Sequence, residues 1–205
     1  STLSATANSG SRTDLGAVTS TSSALSSLSI QSLGANSEVD IQGALNLGTG
    51  TIAAMTIKTD PNATLEWSAV SITSGAVTSG TLSFGDYSTL RDTANNGNED
   101  LTLAQAFTTL GVSLGRGITN AAGDSIVISS AVTTLNLSSA LGAEAVALDT
   151  NNDLAYGGNE LIQMGTITKA NYTHTGTGSL NWVGDNIGAA AADSQVIKSN
   201  ATSTT

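Results

Sequence analysis

The sequence predicts an all-β fold, mainly antiparallel: one β-sandwich or jelly-roll-like domain with one short helix and extended termini. Three observations predict it. β-Branched residues alternate with small polar ones in short runs separated by Gly, Asn or Asp, which is the period of a half-buried strand. Small residues dominate, with 58 Ser or Thr and 22 Gly among 205 residues. Charged residues make up only 11%, too few for a long solvated helix or a coiled coil.

Taken in order, Leu28, Ile30 and Leu33 supply one face of a first strand, and Val39, Ile41, Leu45 and Leu47 continue with a break at Gly43. A glycine inside such a run marks a bulge or a close backbone approach. Ile52, Met55 and Ile57 form the next face, and the turn Thr59-Asp60-Pro61-Asn62 comes after it, with Pro where a turn fixes φ. Leu65, Trp67, Val70 and Ile72 carry the sheet on, and Val77, Leu82 and Phe84 come after Ser74-Gly75. The helix is expected over 102–110. Thr102 and Gln105 fit a capping box, Leu103, Ala106, Phe107 and Leu110 share a face, and Gly111 stands at the C-terminal position. Strands resume over 124–137, 143–148, 161–172 and 179–183. Eight or more strands with one or two helical insertions, and no strand–helix alternation, is the pattern of a sandwich or jelly roll.

This gives three regions: an N-terminal extension (1–26), the sandwich (27–183) and a small-residue tail (184–205). Within the first region Leu3, Ala5 and Ala7 alternate with polar residues, the face of a strand able to complete a neighbour's sheet.

Composition narrows the function. Sixteen acids against six bases leave a net charge of −10, which repels phosphate backbones, so no nucleic-acid partner is expected. Without Cys there is no disulfide, thiolate metal site or thiol nucleophile. No apolar run is long enough for a transmembrane segment. The start at Ser1 and the Ser/Thr/Asn/Gly richness read as a secreted chain after signal-peptide removal. Four Asn-X-Ser/Thr sequons, at Asn62, Asn136, Asn171 and Asn200, are glycosylation candidates.

One segment has metal-ligand spacing. Asp149, Asn151, Asp153 and Glu160 occupy positions 1, 3, 5 and 12 of an EF-hand-like window, and calcium is the cation such oxygens suit. Leu154 replaces the usual Gly and no apolar helix precedes the window, so solvated turns explain the same residues. A second acidic stretch runs through Asp92, Asn95, Asn96, Asn98, Glu99 and Asp100. Catalysis has little to work with: His174 is the single histidine, and neither a nucleophile elbow nor a phosphate loop occurs. No enzyme is expected.

The expected function is therefore a secreted structural subunit. It would assemble as a homopolymer, an extracellular filament or surface layer with cell-surface or matrix association. Its donor strand would carry Leu3, Ala5 and Ala7, in the manner of donor-strand pili. The alternative is a discrete calcium-dependent adhesin or fibre-type binding module.

Overall fold

The computed structural model describes residues 1–20, 25–93, 100–120, 125–140, 146–149, 160–164, 166–175, 180–183 and 195–199. The chain winds as a β-solenoid. Its first turn holds β1 (Thr2–Ala7), β2 (Arg12–Leu15) and β3 (Val18–Thr19), and its second β4 (Ser27–Ser32), β5 (Glu38–Ile41) and β6 (Leu45–Asn46). The third has β7 (Ile52–Thr59), β8 (Thr64–Trp67) and β9 (Val70–Thr73); the fourth has β10 (Val77–Phe84), β11 (Thr89–Asp92) and β12 (Leu101–Leu103). The fifth has β13 (Phe107–Leu114), β14 (Thr119–Asn120) and β15 (Ile126–Ile128). Beyond it lie β16 (Val132–Ser139), β17 (Val146–Asp149), β18 (Glu160–Met164), β19 (Ile167–His174), β20 (Leu180–Val183) and β21 (Gln195–Ser199).

Every strand pairs in parallel. Sheet A runs β1-β4-β7-β10-β13-β16-β19-β21 with eight strands. Sheet B runs β2-β5-β8-β11-β14, and sheet C runs β3-β6-β9-β12-β15-β18-β17-β20. The expected antiparallel sandwich is thus replaced by a parallel three-sheeted coil. Alternation of period two is common to both kinds of strand, so it could not separate them. The repeat that would have done so is uneven: register partners lie 25 positions apart at Thr2 and Ser27, 30 at Thr89 and Thr119, and 35 at Asn136 and Asn171.

Inward side chains stack in columns along the axis. On sheet A, Ala5, Ile30, Ile57, Leu82, Val112 and Leu137 are in register and all buried. Sheet C contributes Leu45, Ile72, Leu103, Ile128 and Met164, and sheet B adds Ile41 beside Trp67. Each of the larger side chains, Ala5 excepted, contributes about 1.5–3 kcal/mol of burial. Because the layers stack, each one's burial depends on the turns above and below it.

The expected helix is absent. Leu101–Leu103 and Phe107–Leu114 are strands, and Ala104, Gln105 and Ala106 form the corner between them. Leu103, Phe107 and Leu110 imitate helical spacing for two reasons. The corner separates the first two, and β13 turns two successive residues, Thr108 and Thr109, away from the core before Leu110. The same inward-outward-outward-inward step opens β7, β10 and β16.

The donor-strand expectation is also corrected. β1 pairs along its whole length with β4 of its own chain; Ala5 and Ala7 are buried in its core and Leu3 packs against it. A strand already paired inside its own solenoid is not a donor for another copy. The ladder moreover begins at Thr2, within the region expected to be an extension, and β21 of the expected tail pairs with β19.

A left-handed residue recurs two positions before each sheet B strand. Gly10, Asn36, Asn62, Tyr87 and Gly117 have φ of 70°, 59°, 58°, 59° and 61°. Gly and Asn suit this conformation; Tyr does not, and holding it there costs about 1–2 kcal/mol.

Gln105 is a defect in an otherwise apolar layer. It is buried, its Nε2 donates to Met55 Sδ at 3.3 Å, and its Oε1 has no partner. A buried acceptor left unpaired costs about 1–3 kcal/mol, so Gln105→Leu is expected to raise the urea midpoint by the equivalent of about 1 kcal/mol. An unchanged or lower midpoint would show that the amide is satisfied in solution.

Candidate functional site

The fold presents three distinct surfaces. The outer face of sheet B carries an ion ladder. Arg12 stands opposite Glu38, while Asp14, Asp40, Glu66 and Arg91 form one column. Parallel in-register strands stack like positions about 4.8 Å apart, so three carboxylates in a column would repel. Arginine prevents it. Arg12 Nε donates to Asp14 at 2.6 Å, Nη2 to Asp40 at 2.6 Å and Nη1 to Glu66 at 3.3 Å, with Nη1 also on Glu38. Arg91 Nε donates to Glu66 Oε1 at 2.5 Å. Asp40 is fully buried although it lies on the outer face, and it also accepts from Gln42 Nε2 at 2.9 Å and Thr93 Oγ1 at 3.1 Å. Burial and the nearby Glu66 push Glu38 above the usual carboxylate range against the pull of Arg12 and Arg91. The cluster stitches four successive turns together and leaves no open ligand position.

The corner after sheet A carries a second set of ties. Asp60 accepts from Lys58 Nζ at 2.7 Å and from the Gly34 backbone N–H at 3.0 Å, and the Lys58 bond is the main cause of its lowered pKa. Asp86 is lowered chiefly by the Arg116 backbone N–H at 2.9 Å and then by the guanidinium at 2.7 Å. A depressed folded-state pKa gives stability that is present above the ordinary Asp value of 3.8 and is lost as pH falls through the folded value. Glu38 has the opposite sign and weakens the fold as pH rises through its raised value. In urea melts the double variant Asp60→Asn/Asp86→Asn is therefore expected to be less stable than the parent at neutral pH, with the gap starting to close only as pH falls below about 3.8 and vanishing once the depressed folded values are passed. A gap that persists at low pH would assign the difference to packing.

Sheet A is the third surface, and it is free of acid. None of its eight strands contains Asp or Glu, in a chain with sixteen of them. Thr78, Thr108, Thr133 and Thr168 are all exposed, and Ser79, Thr109 and Thr134 lie beside them. At the downstream margin a groove of about 470 Å³ crosses β10, β13, β16 and β19. Ser83, Ser113, Ser138 and Thr173 line it in register, with Pro61 and Asp86 on the corner side.

The sequence-predicted sites fall only in part among the described residues. Asp149 ends β17 and Glu160 begins β18, while Asn151 and Asp153 lie outside the described residues, as do Asn95, Asn96, Asn98 and Glu99. Among the described residues no group of three or more His, Asp or Glu side chains is placed to hold a metal ion. Asp92 is buried, and burial pushes Asp100 up. Asn62 is an exposed corner residue, and Asn136 is exposed on sheet A. Asn171 donates from Nδ2 to Asn136 Oδ1 at 2.8 Å, so a glycan on either would crowd the other; Asn200 lies outside the described residues. His174 ends β19. Sequence reasoning missed the ion ladder, whose signal was the recurrence of Arg12-Thr-Asp, Glu38-Val-Asp and Leu65-Glu at near-constant spacing. It missed the groove as well, whose signal was a hydroxyl or Lys next to last in seven of the eight sheet A strands, with Gln31 in β4 the exception.

These features define a parallel β-solenoid with one charged face and one hydroxyl face. Compared with known proteins, the chain matches no family model, and no curated protein or solved structure matches it. Among the described residues no helix is long and apolar enough to cross a membrane.

Proposed function

We propose that the chain is a rod-forming module of an extracellular fibre or adhesin, in which the solenoid supplies length and the sheet A face supplies contacts. The observation that carries this reading is the exclusion of carboxylates from eight in-register strands of a chain at −10. Folding alone does not require it, since sheet B accommodates acids on its outer face. A hydroxyl surface whose strands carry a few lysines (Lys58, Lys169, Lys198) and no carboxylate is suited to repeated weak contacts with other surfaces, and three adjoining sheets form a stiff support for it.

The test pairs shape with adhesion. Negative-stain microscopy and small-angle scattering are expected to show short rods. Thr78→Asp/Thr133→Asp, which places the two charges on strands that are not neighbours, is expected to keep the melting temperature and to reduce retention of the chain on extracellular matrix. Compact round particles, or unchanged retention, would reject the reading.

A second reading has its own support. β1, β2 and β3 stand at the ends of their sheets, and an open parallel edge is a template for another chain. End-to-end stacking would build a homopolymer without any donor strand. Sedimentation that grows with concentration supports it, and a constant monomer rejects it.

A further inference from the structure

We propose that the groove at the downstream margin of sheet A binds a linear, uncharged oligosaccharide lying along the solenoid axis. This deepens the reading of the chain as a surface-contacting module and rests on it.

The groove presents one hydroxyl per turn. Ser83, Ser113, Ser138 and Thr173 stand on consecutive strands, so the row covers three strand steps, about 14 Å, the reach of a short oligosaccharide. Ser113, Ser138 and Thr173 are exposed and Ser83 is half-buried. Ser138 Oγ donates to the Val112 carbonyl at 3.5 Å, which leaves its lone pairs to accept from a ligand hydroxyl. The charge balance selects a neutral ligand: Asp86 is the one charged side chain in the lining, and Arg116 already pairs with it. An extended peptide fits less well, because β10, β13, β16 and β19 each have a strand on both sides and offer no edge to pair with.

Tyr87 is the second, independent observation. It is the neighbour of Asp86, is 57% exposed, and is the one large exposed hydrophobic residue among those described. A Cβ built on Gly117 would collide with its ring, so the ring lies against the glycine and keeps its other side to solvent. Its backbone takes the left-handed conformation that Gly or Asn fills at the same corner of the other four turns. Fold stability disfavours a tyrosine there, and strain retained at an exposed position marks a functional side chain. Tyr87 follows Asp86 of the lining and stands at the corner next to the groove, where a flat, half-supported ring offers a stacking platform to a sugar that extends past the lining.

The experiment titrates the intact chain with cellohexaose, laminarihexaose and chitohexaose, and with hexagalacturonate as the acidic control. At least one neutral oligomer is expected to bind, with hexagalacturonate weaker. Tyr87→Asn is expected to raise the melting temperature while weakening that binding about tenfold. Ser113→Ala/Ser138→Ala is expected to weaken it with the melting temperature retained. Binding by no neutral oligomer, tighter binding of hexagalacturonate, or equal binding by both variants would overturn the proposal. Rods seen in microscopy with no oligosaccharide bound would sink the groove assignment while leaving the rod-forming module in place.

Discussion

Phe107→Ala is expected to lower stability by about 3–5 kcal/mol, the largest loss from any single truncation in the fourth and fifth turns. Phe107 opens β13, is 1% exposed, and its ring fills a notch left by Gly80 on the neighbouring strand. A Cβ on Gly80 would lie 2.6 Å from Phe107 Cδ1 and Cε1 and 2.9 Å from Leu110 Cδ1. Gly80→Ala is therefore expected to cost about 1–3 kcal/mol through overpacking. The two sites are coupled: Gly80→Ala/Phe107→Leu should recover part of the loss, with an interaction energy of about 0.5–3 kcal/mol. Urea midpoints of the four proteins measure it. Strict additivity would show that the notch and the ring are independent.

That pair also shows how much could be read from the sequence. Phe107 and Leu110 were recognisable as core residues, as were Ile57, Leu65 and Trp67, because burial comes with apolar character in any fold. The direction of neighbouring strands was not recognisable, since it depends on where the corner after each strand sends the chain. Here each of the first five sheet A strands ends in a corner such as Asp60-Pro61-Asn62 or Gly85-Asp86-Tyr87, which leads the chain into sheet B instead of back alongside itself. Such corners contain the same Gly, Asn and Asp that build hairpins. The signature specific to a solenoid was the left-handed residue two positions before each sheet B strand, with Gly or Asn at four of five corners. Tyr87 interrupts that series, the one residue of the five whose side chain is poorly suited to the conformation. Helical spacing at Leu103, Phe107 and Leu110 misled for a related reason: a corner and a two-residue outward step together imitate a turn of helix.

The candidate site was less legible than the core because it belongs to columns, not to segments. Ser83, Ser113, Ser138 and Thr173 are unremarkable in their own strands and gain meaning only when stacked. The ion ladder is similar. Asp14 and Arg91 lie in strands separated by several turns, and no local motif joins them.

Arg12→Leu tests that ladder and is expected to cost about 2 kcal/mol at neutral pH. Losing one partner of a buried pair removes about 3–5 kcal/mol, and the 46% exposure of the Arg12 side chain, with solvent screening, reduces this. The remaining loss is serious because it strands buried charge. Asp40 has 0% side-chain exposure and Glu66 5%, and only Arg91 would still face the column. Arg12→Lys should recover only part, since a single ammonium cannot reach Asp14, Glu38, Asp40 and Glu66 as the planar guanidinium does. The pH dependence has a definite sign. Glu38 already sits above its usual range, and loss of Arg12 removes one of the charges holding it down. The deficit of Arg12→Leu should therefore be smaller at pH 4 than at pH 7, because protonated Glu38 no longer repels Glu66. Arg12→Leu/Asp40→Leu should be more stable than Arg12→Leu alone, as removal of both members relieves the stranded charge. A loss below about 0.5 kcal/mol would place Arg12 among exposed ion pairs of negligible weight and assign the alignment of the first four turns to the apolar columns alone.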